Sequence, residues 1–181
     1  MSPLTLEAIA TGSDEEVSEL LGEELGNRIS ALRDAPEFLA EIRGLPIGLR
    51  AMAATYELDV SLALDDLGWH FGKWHDLELA EETARGLEVL GALELAGIFR
   101  EALALALEYW GELGDEDWSL WYPDSPLEEA MDLLNKEAWE FLKPYEEGIF
   151  HFWVAYARQH PEDVGAIAGP KPKVKRPRSK R

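Results

Sequence analysis

Asp66 and His70 stand four residues apart, the spacing that places two side chains on one helix face. His75 follows five residues later, and Asp59, Asp65 and Asp76 flank the group. Such ligands suit a hard or imidazole-binding metal, so Asp66, His70 and His75 form a candidate metal or acid–base centre. Against it, a five-residue step puts His70 and His75 on different helix faces, with Gly72 between them. The His-Glu-x-x-His spacing of zinc enzymes is absent. In the structural reading, Asp65 or Asp66 caps a helix start, worth about 1 kcal/mol. Trp69, Phe71 and Trp74 then fill the core, and the histidines donate to nearby carboxylates or carbonyls. A third reading makes these aromatics the lining of a ligand or partner groove. No Gly-x-Ser-x-Gly elbow, phosphate-cradling glycine loop or dinucleotide fingerprint occurs. Carboxylate pairs are too common here for any one to mark a glycosidase. The expectation is a protein that is not an enzyme, with no catalytic residues and no cofactor.

Seven tryptophans are many for 181 residues, and Trp is enriched where proteins bind one another. Trp118, Trp121 and Tyr122 lie in an expected loop beside Glu112, Asp115, Glu116 and Asp117. Together these seven residues are the candidate partner-binding patch, while most other aromatics are expected in the core.

Charge narrows the class of partner. The chain has 36 acids and 17 bases, a net charge of −19. Seven bases crowd the C-terminus: Lys171, Lys173, Lys175, Arg176, Arg178, Lys180 and Arg181. That leaves ten bases against all 36 acids on residues 1–170, a net of −26. Such a body repels nucleic acid and membrane phosphate and attracts basic partners. The tail does the reverse, and is expected to contact nucleic acid or the protein's own acidic body. On that body it would compete with basic partners for the acidic face.

The remaining composition is that of one folded domain, with 46% apolar residues. The absence of cysteine excludes disulfides and thiolate chemistry and fits the cytosol. The first residues lack the pattern of a signal peptide, and no apolar run spans a membrane, so a cytoplasmic location is expected.

Helical periodicity accounts for nearly the whole chain, and no stretch alternates long enough for a strand. Ser13 and Glu16 make a capping box that opens a first helix. Short helices are expected over 27–33 and 36–42, the latter stopped by Gly44. Pro46 opens a third segment with Leu49, Met52, Ala53, Tyr56 and Val60 on its buried face. Gly68 and Gly72 loosen the chain around Trp69-His70-Phe71. A helix over 77–90 ends at Gly91, and one over 93–113, apolar almost all round, is the expected central helix. Ser125-Pro126-Leu127-Glu128 reads as a second capping box, and an aromatic helix over 145–159 closes the fold. The prediction is an all-α, single-domain bundle of about six to eight helices. An N-terminal segment, 1–44, packs on a core, 45–164. The basic tail, 165–181, is too charged and proline-rich to offset its ordering entropy and is expected to be disordered.

Leu45-Pro46-Ile47-Gly48-Leu49-Arg50 leading into Thr55-Tyr56 resembles a known pattern, as does the run from Gly86 through Gly91 to Ala96. So does the acidic turn at 114–117, followed by an aromatic loop and two helices. Together, over roughly 45–155, they resemble the bacterial DNA-mimic-protein domain family. The segment Asp65-Asp66-Leu67-Gly68-Trp69-His70-Phe71 departs from the Asn-Gly-Gly-Phe stretch of that family, which marks this chain as a divergent member. The resemblance implies a non-enzymatic acidic protein, a homodimer, occupying the DNA-binding face of a transcription factor or histone-like protein. The expected partners are thus basic DNA-binding or nucleoid proteins.

Averaged over the roughly 8,000 Å² of a 170-residue globule, the body carries about one charge per 300 Å². Duplex DNA carries about one per 100 Å². Mimicry therefore needs acids gathered on one face, and the sequence offers local groups at 14–24, 76–82 and 112–117.

Overall fold

The computed structural model describes residues 4–31 and 37–167. Of the tail expected from 165, residues 168–181, with all seven of its bases, lie outside the described residues, as does the stretch 32–36, while 165–167 are described and Ile167 packs beside Thr5. Among the described residues there are eleven α-helices and a closing 3-10 turn, with no strand. The count exceeds six to eight because several helices are one or two turns long.

α1 (Leu6–Thr11) is capped by Thr5 and was not expected from periodicity, being too short to show any. α2 (Asp14–Arg28) opens on the predicted capping box, with Ser13 and Glu16 each accepting the other's backbone N–H. α2 absorbs Asn27 and Arg28, so the separate helix expected from 27 does not start there. α3 (Phe38–Arg43) ends at Gly44 as predicted.

α4 (Ile47–Leu64) begins after Pro46 and is the true centre of the fold. Leu49, Ala51, Met52, Ala53, Ala54, Thr55, Leu58 and Leu62 are all buried, so two faces are covered rather than one. It packs against α2, α3, α5 (Leu67–Lys73), α6 (Leu77–Val89), α11 (Phe150–Gln159) and the 3-10 turn at Pro161–Val164. Its tightest neighbour is α6 (Leu77–Val89), where a Cβ on Gly86 would lie 2.9 Å from the Ala51 carbonyl oxygen. Thr83 Oγ1 donates to the Ala54 carbonyl at 2.8 Å across the same contact. Small residues on α4 permit this approach, which is why its apolar stripe is weaker than that of the helix from Leu93 that the sequence offered as central.

α6 stops in a Schellman turn. Gly91 takes φ +82, and the Ala92 and Gly91 amides return to the Leu87 and Glu88 carbonyls. α7 (Leu93–Glu108) ends five residues earlier than expected, because Tyr109 leaves helical geometry and a separate turn, α8 (Trp110–Leu113), follows. The expected loop contains a further turn, α9 (Trp118–Trp121). α10 (Pro126–Leu142) starts with Ser125 accepting the Glu128 amide, but Glu128 returns to the Asp124 amide instead of closing the box. α11 (Phe150–Gln159) starts later than predicted because Gly148 turns the chain at φ +56. The 3-10 turn (Pro161–Val164) brings Ile167 beside Thr5, joining the two ends of the described chain.

A buried ion cluster locks α3, α4 and α6 together. Glu82, 3% exposed, receives Arg50 through two nitrogens, with Arg43 and Arg85 also in reach. Burial alone would raise its pKa, but the guanidinium groups outweigh it and hold the carboxyl below its usual range.

Candidate functional site

α5 (Leu67–Lys73) is the floor on which the aromatic segment 109–125 rests. Asp66 caps it, accepting the Trp69 amide at 2.8 Å and the Tyr122 hydroxyl at 3.1 Å. Asn135, reaching across from α10, accepts the Leu67 amide at 3.0 Å. Gly68 and Gly72 do not loosen the chain. They lie inside the helix, where a methyl on Gly68 would fall 2.1 Å from Tyr122 Oη and one on Gly72 2.3 Å from Trp118. Two rings thus press on a helix face stripped of side chains, with Trp69 packed edge-on to both.

The metal candidates are not brought together. Asp66 is spent on the cap and Tyr122. His70 is buried against Phe71 and Phe99, with Nδ1 3.0 Å from Ser61 Oγ. Burial pushes its pKa down to about 4. His75 stacks on Trp110 and lies 2.8 Å from the Trp110 carbonyl oxygen. His151 and His160 likewise pack on Tyr145 and Tyr156. Among the described residues, no three His, Asp or Glu side chains are grouped to hold a metal ion.

Tyr122 does not belong to the exposed patch expected from the sequence. Tyr122 is fully buried, its hydroxyl pKa driven up by burial and by Asp66, so it supports the surface without forming it. Trp118 and Trp121 are half-buried against Trp69 and Tyr109. Glu112, Asp115, Glu116 and Asp117 are exposed as expected. Leu120, between the two tryptophans and 79% exposed, is the apolar residue that the segment shows to water.

The acidic groups differ in what they leave free. In the 76–82 group, Asp76 caps α6 while Glu78, Glu81 and Glu82 are held by arginines. In the 14–24 group, Asp14 pairs with Arg158, Glu16 closes its capping box and Glu24 pairs with Arg28. The same group leaves Glu15, Glu19 and Glu23 without an ion pair among the described residues, and a further acidic set flanks α10. Asp66, Asp124, Glu128, Glu129 and Asp132 line one groove of about 590 Å³, with Trp139 at its end. Burial and the neighbouring Glu128 raise the Asp66 pKa against the pull of its hydrogen bonds. On the other flank of α10, Glu94, Glu101, Glu137 and Glu140 rim a second groove floored by Ile98 and Phe141. The signal was legible: residues 101–135 hold ten acids and no lysine or arginine.

From Asp124 to Glu140, six carboxylates follow α10 over about 24 Å, roughly one per 4 Å of axis. One strand of duplex DNA has one per 3.4 Å. Lys136 and Lys143 cancel two of the six, and Glu94 and Glu101 stand across the groove to replace them.

Fold and surface together define an acidic all-α protein with a row of carboxylates along one helix, α10, two of them paired with lysines. The chain belongs to the DMP19-like protein family, whose model matches residues 43–160, from the end of α3 to the end of α11. No curated protein and no solved structure gives a significant match. Among the described residues no helix is long and apolar enough to cross a membrane.

Proposed function

We propose that this is a non-enzymatic, cytoplasmic interaction protein that presents the α10 ridge as a DNA-like surface to a basic DNA-binding or nucleoid protein. The observation that carries the reading is the pair of acid-lined grooves along α10, one lined by Asp124, Glu128, Glu129 and Asp132 and the other by Glu94, Glu101, Glu137 and Glu140. The family name, DNA mimic protein, points the same way. Leu120, with Trp118 and Trp121 beneath it, supplies an apolar contact beside the charge. Steering by this field makes association fast and steeply salt-dependent.

The test is competition. A purified nucleoid-type protein is bound to a fluorescent duplex, and the full chain is titrated in. Displacement is expected at low salt, weakening as salt rises. The quadruple variant Glu94→Gln, Glu101→Gln, Glu129→Gln, Glu137→Gln should need at least about ten times more protein, a loss of about 1.4 kcal/mol. Displacement that is unaffected by these changes would remove α10 from the interface, and none at any concentration would remove the mimic reading.

A further inference from the structure

The family match leaves α1 and α2 outside it, and these helices build a groove of their own. Ala8, Gly12 and Leu20 floor a concavity of about 530 Å³, rimmed by Glu16, Glu19 and Glu23. Glu19 and Glu23 are one helical turn apart on α2 and have no ion-pair partner among the described residues.

The end of the described chain meets the start of α1, the helix whose later residues line this groove. Ile167 pairs with Thr5, its amide donating to the Leu4 carbonyl and its carbonyl accepting the Leu6 amide, both at 3.1 Å. Thr5 is the cap of α1, and α1 forms one wall of the groove. The chain that continues from Ile167 carries Lys171, Lys173, Lys175, Arg176, Arg178, Lys180 and Arg181, and no acid after Asp163.

We propose that the α1–α2 groove is the docking site of the chain's own C-terminal segment, with Lys171, Lys173 and Lys175 set against Glu19, Glu23 and the free edge of Glu16. The reach is sufficient: four residues from Ile167 to Lys171 span up to about 14 Å, and α1 is about 9 Å long. The spacing also fits. Pro170 and Pro172 favour extended backbone, in which alternate lysines recur every 6 to 7 Å or so. One turn of α2 separates Glu19 from Glu23 by about 6 Å of axis. Val174 and the lysine stems can cover the Ala8–Leu20 floor. The groove and the α10 ridge are built by different helices, so the docked tail leaves the ridge open. The chain's strongest positive charge is held away from the surface proposed for a basic partner. This inference does not depend on the partner reading.

Because the chain lacks cysteine, Ser179→Cys gives a single attachment point for a spin label on the full-length protein. Paramagnetic broadening is expected at the amides of Ala8, Gly12, Leu20 and Glu23, and should disappear on raising salt to about 0.5 M, where screening is nearly complete within a few ångströms. Glu19→Gln with Glu23→Gln, both on exposed helix positions, should cut the broadening several-fold with the remaining spectrum unchanged. Broadening centred on residues 124–140, spread evenly or absent would overturn the assignment. A mixed sample of isotope-labelled chain and separately spin-labelled chain sets the last condition. Broadening there would make the contact intermolecular and would overturn docking on the chain's own body.

Discussion

Gly68 and Gly72 lack side chains because Tyr122 and Trp118 occupy the space where a Cβ would stand. Gly68→Ala should therefore destabilise the protein by about 1–3 kcal/mol through overpacking, despite improving helix propensity. Gly97→Ala is the control: nothing lies within 4 Å of its Cβ, so it should be neutral or stabilising by up to about 1 kcal/mol. Urea unfolding of the two variants separates packing from propensity, and equal effects would contradict the geometry. His70 sets a pH dependence. Its native pKa is pushed down to about 4 from 6.5 by burial, so below pH 6.5 the unfolded chain takes up a proton that the native core refuses. Stability should fall as pH drops from 6.5, by up to about 1.4 kcal/mol per unit. The buried carboxyl groups act lower down and with opposite signs. Asp59 and Asp66 have raised values and gain native protons first as pH falls, whereas Glu82 has a lowered value and loses its stabilisation there. The slope between pH 6.5 and 5 should thus vanish in His70→Phe, and its persistence would assign it elsewhere.

At the scale of elements, one side chain joins α5 to the aromatic segment. Asp66 caps α5 and receives Tyr122, and an amide oxygen can accept both bonds. Asp66→Asn should therefore be nearly neutral, while Asp66→Ala should cost about 1–2 kcal/mol and loosen α9. Tryptophan fluorescence would report that loosening, and a large loss in Asp66→Asn would mean that the charge itself is required. Glu82 does the same for α3, α4 and α6. Because its three arginines still reach water, Glu82→Gln should cost about 2 kcal/mol, less than a fully buried pair.

For the whole molecule, the net charge of −19 means that carboxylates repel one another across the surface. Added salt should raise the melting temperature between about 0.01 and 0.3 M, because screening relieves that repulsion faster than it weakens the few surface ion pairs. A falling melting temperature would show instead that the ion pairs dominate. The same ion pairs explain why counting acids misjudged the surface. The group at 76–82 is held by Arg43, Arg50 and Arg85, while Asp124, Glu128 and Glu129 lie in a stretch, 101–135, without lysine or arginine.

Local sequence was sufficient wherever a short-range rule decides the outcome. The Ser13 capping box, the helix that begins after Pro46, the stop at Gly91 and the all-α class all rest on hydrogen bonds closed within four or five residues. The family pattern was legible for a related reason, since residues such as Arg50 and Gly86 are tied to α4–α6 packing. What tertiary structure alone decided depends on partners far apart in the chain. Tyr122 is buried because Gly68, 54 residues earlier, leaves room for its ring. Asp66, His70 and His75, within ten residues of one another, face three separate partners because α5 is one short helix wedged between elements on different sides. α4 displaced α7 as the central helix because small residues are buried by close backbone approach, which hydrophobicity along the chain does not record.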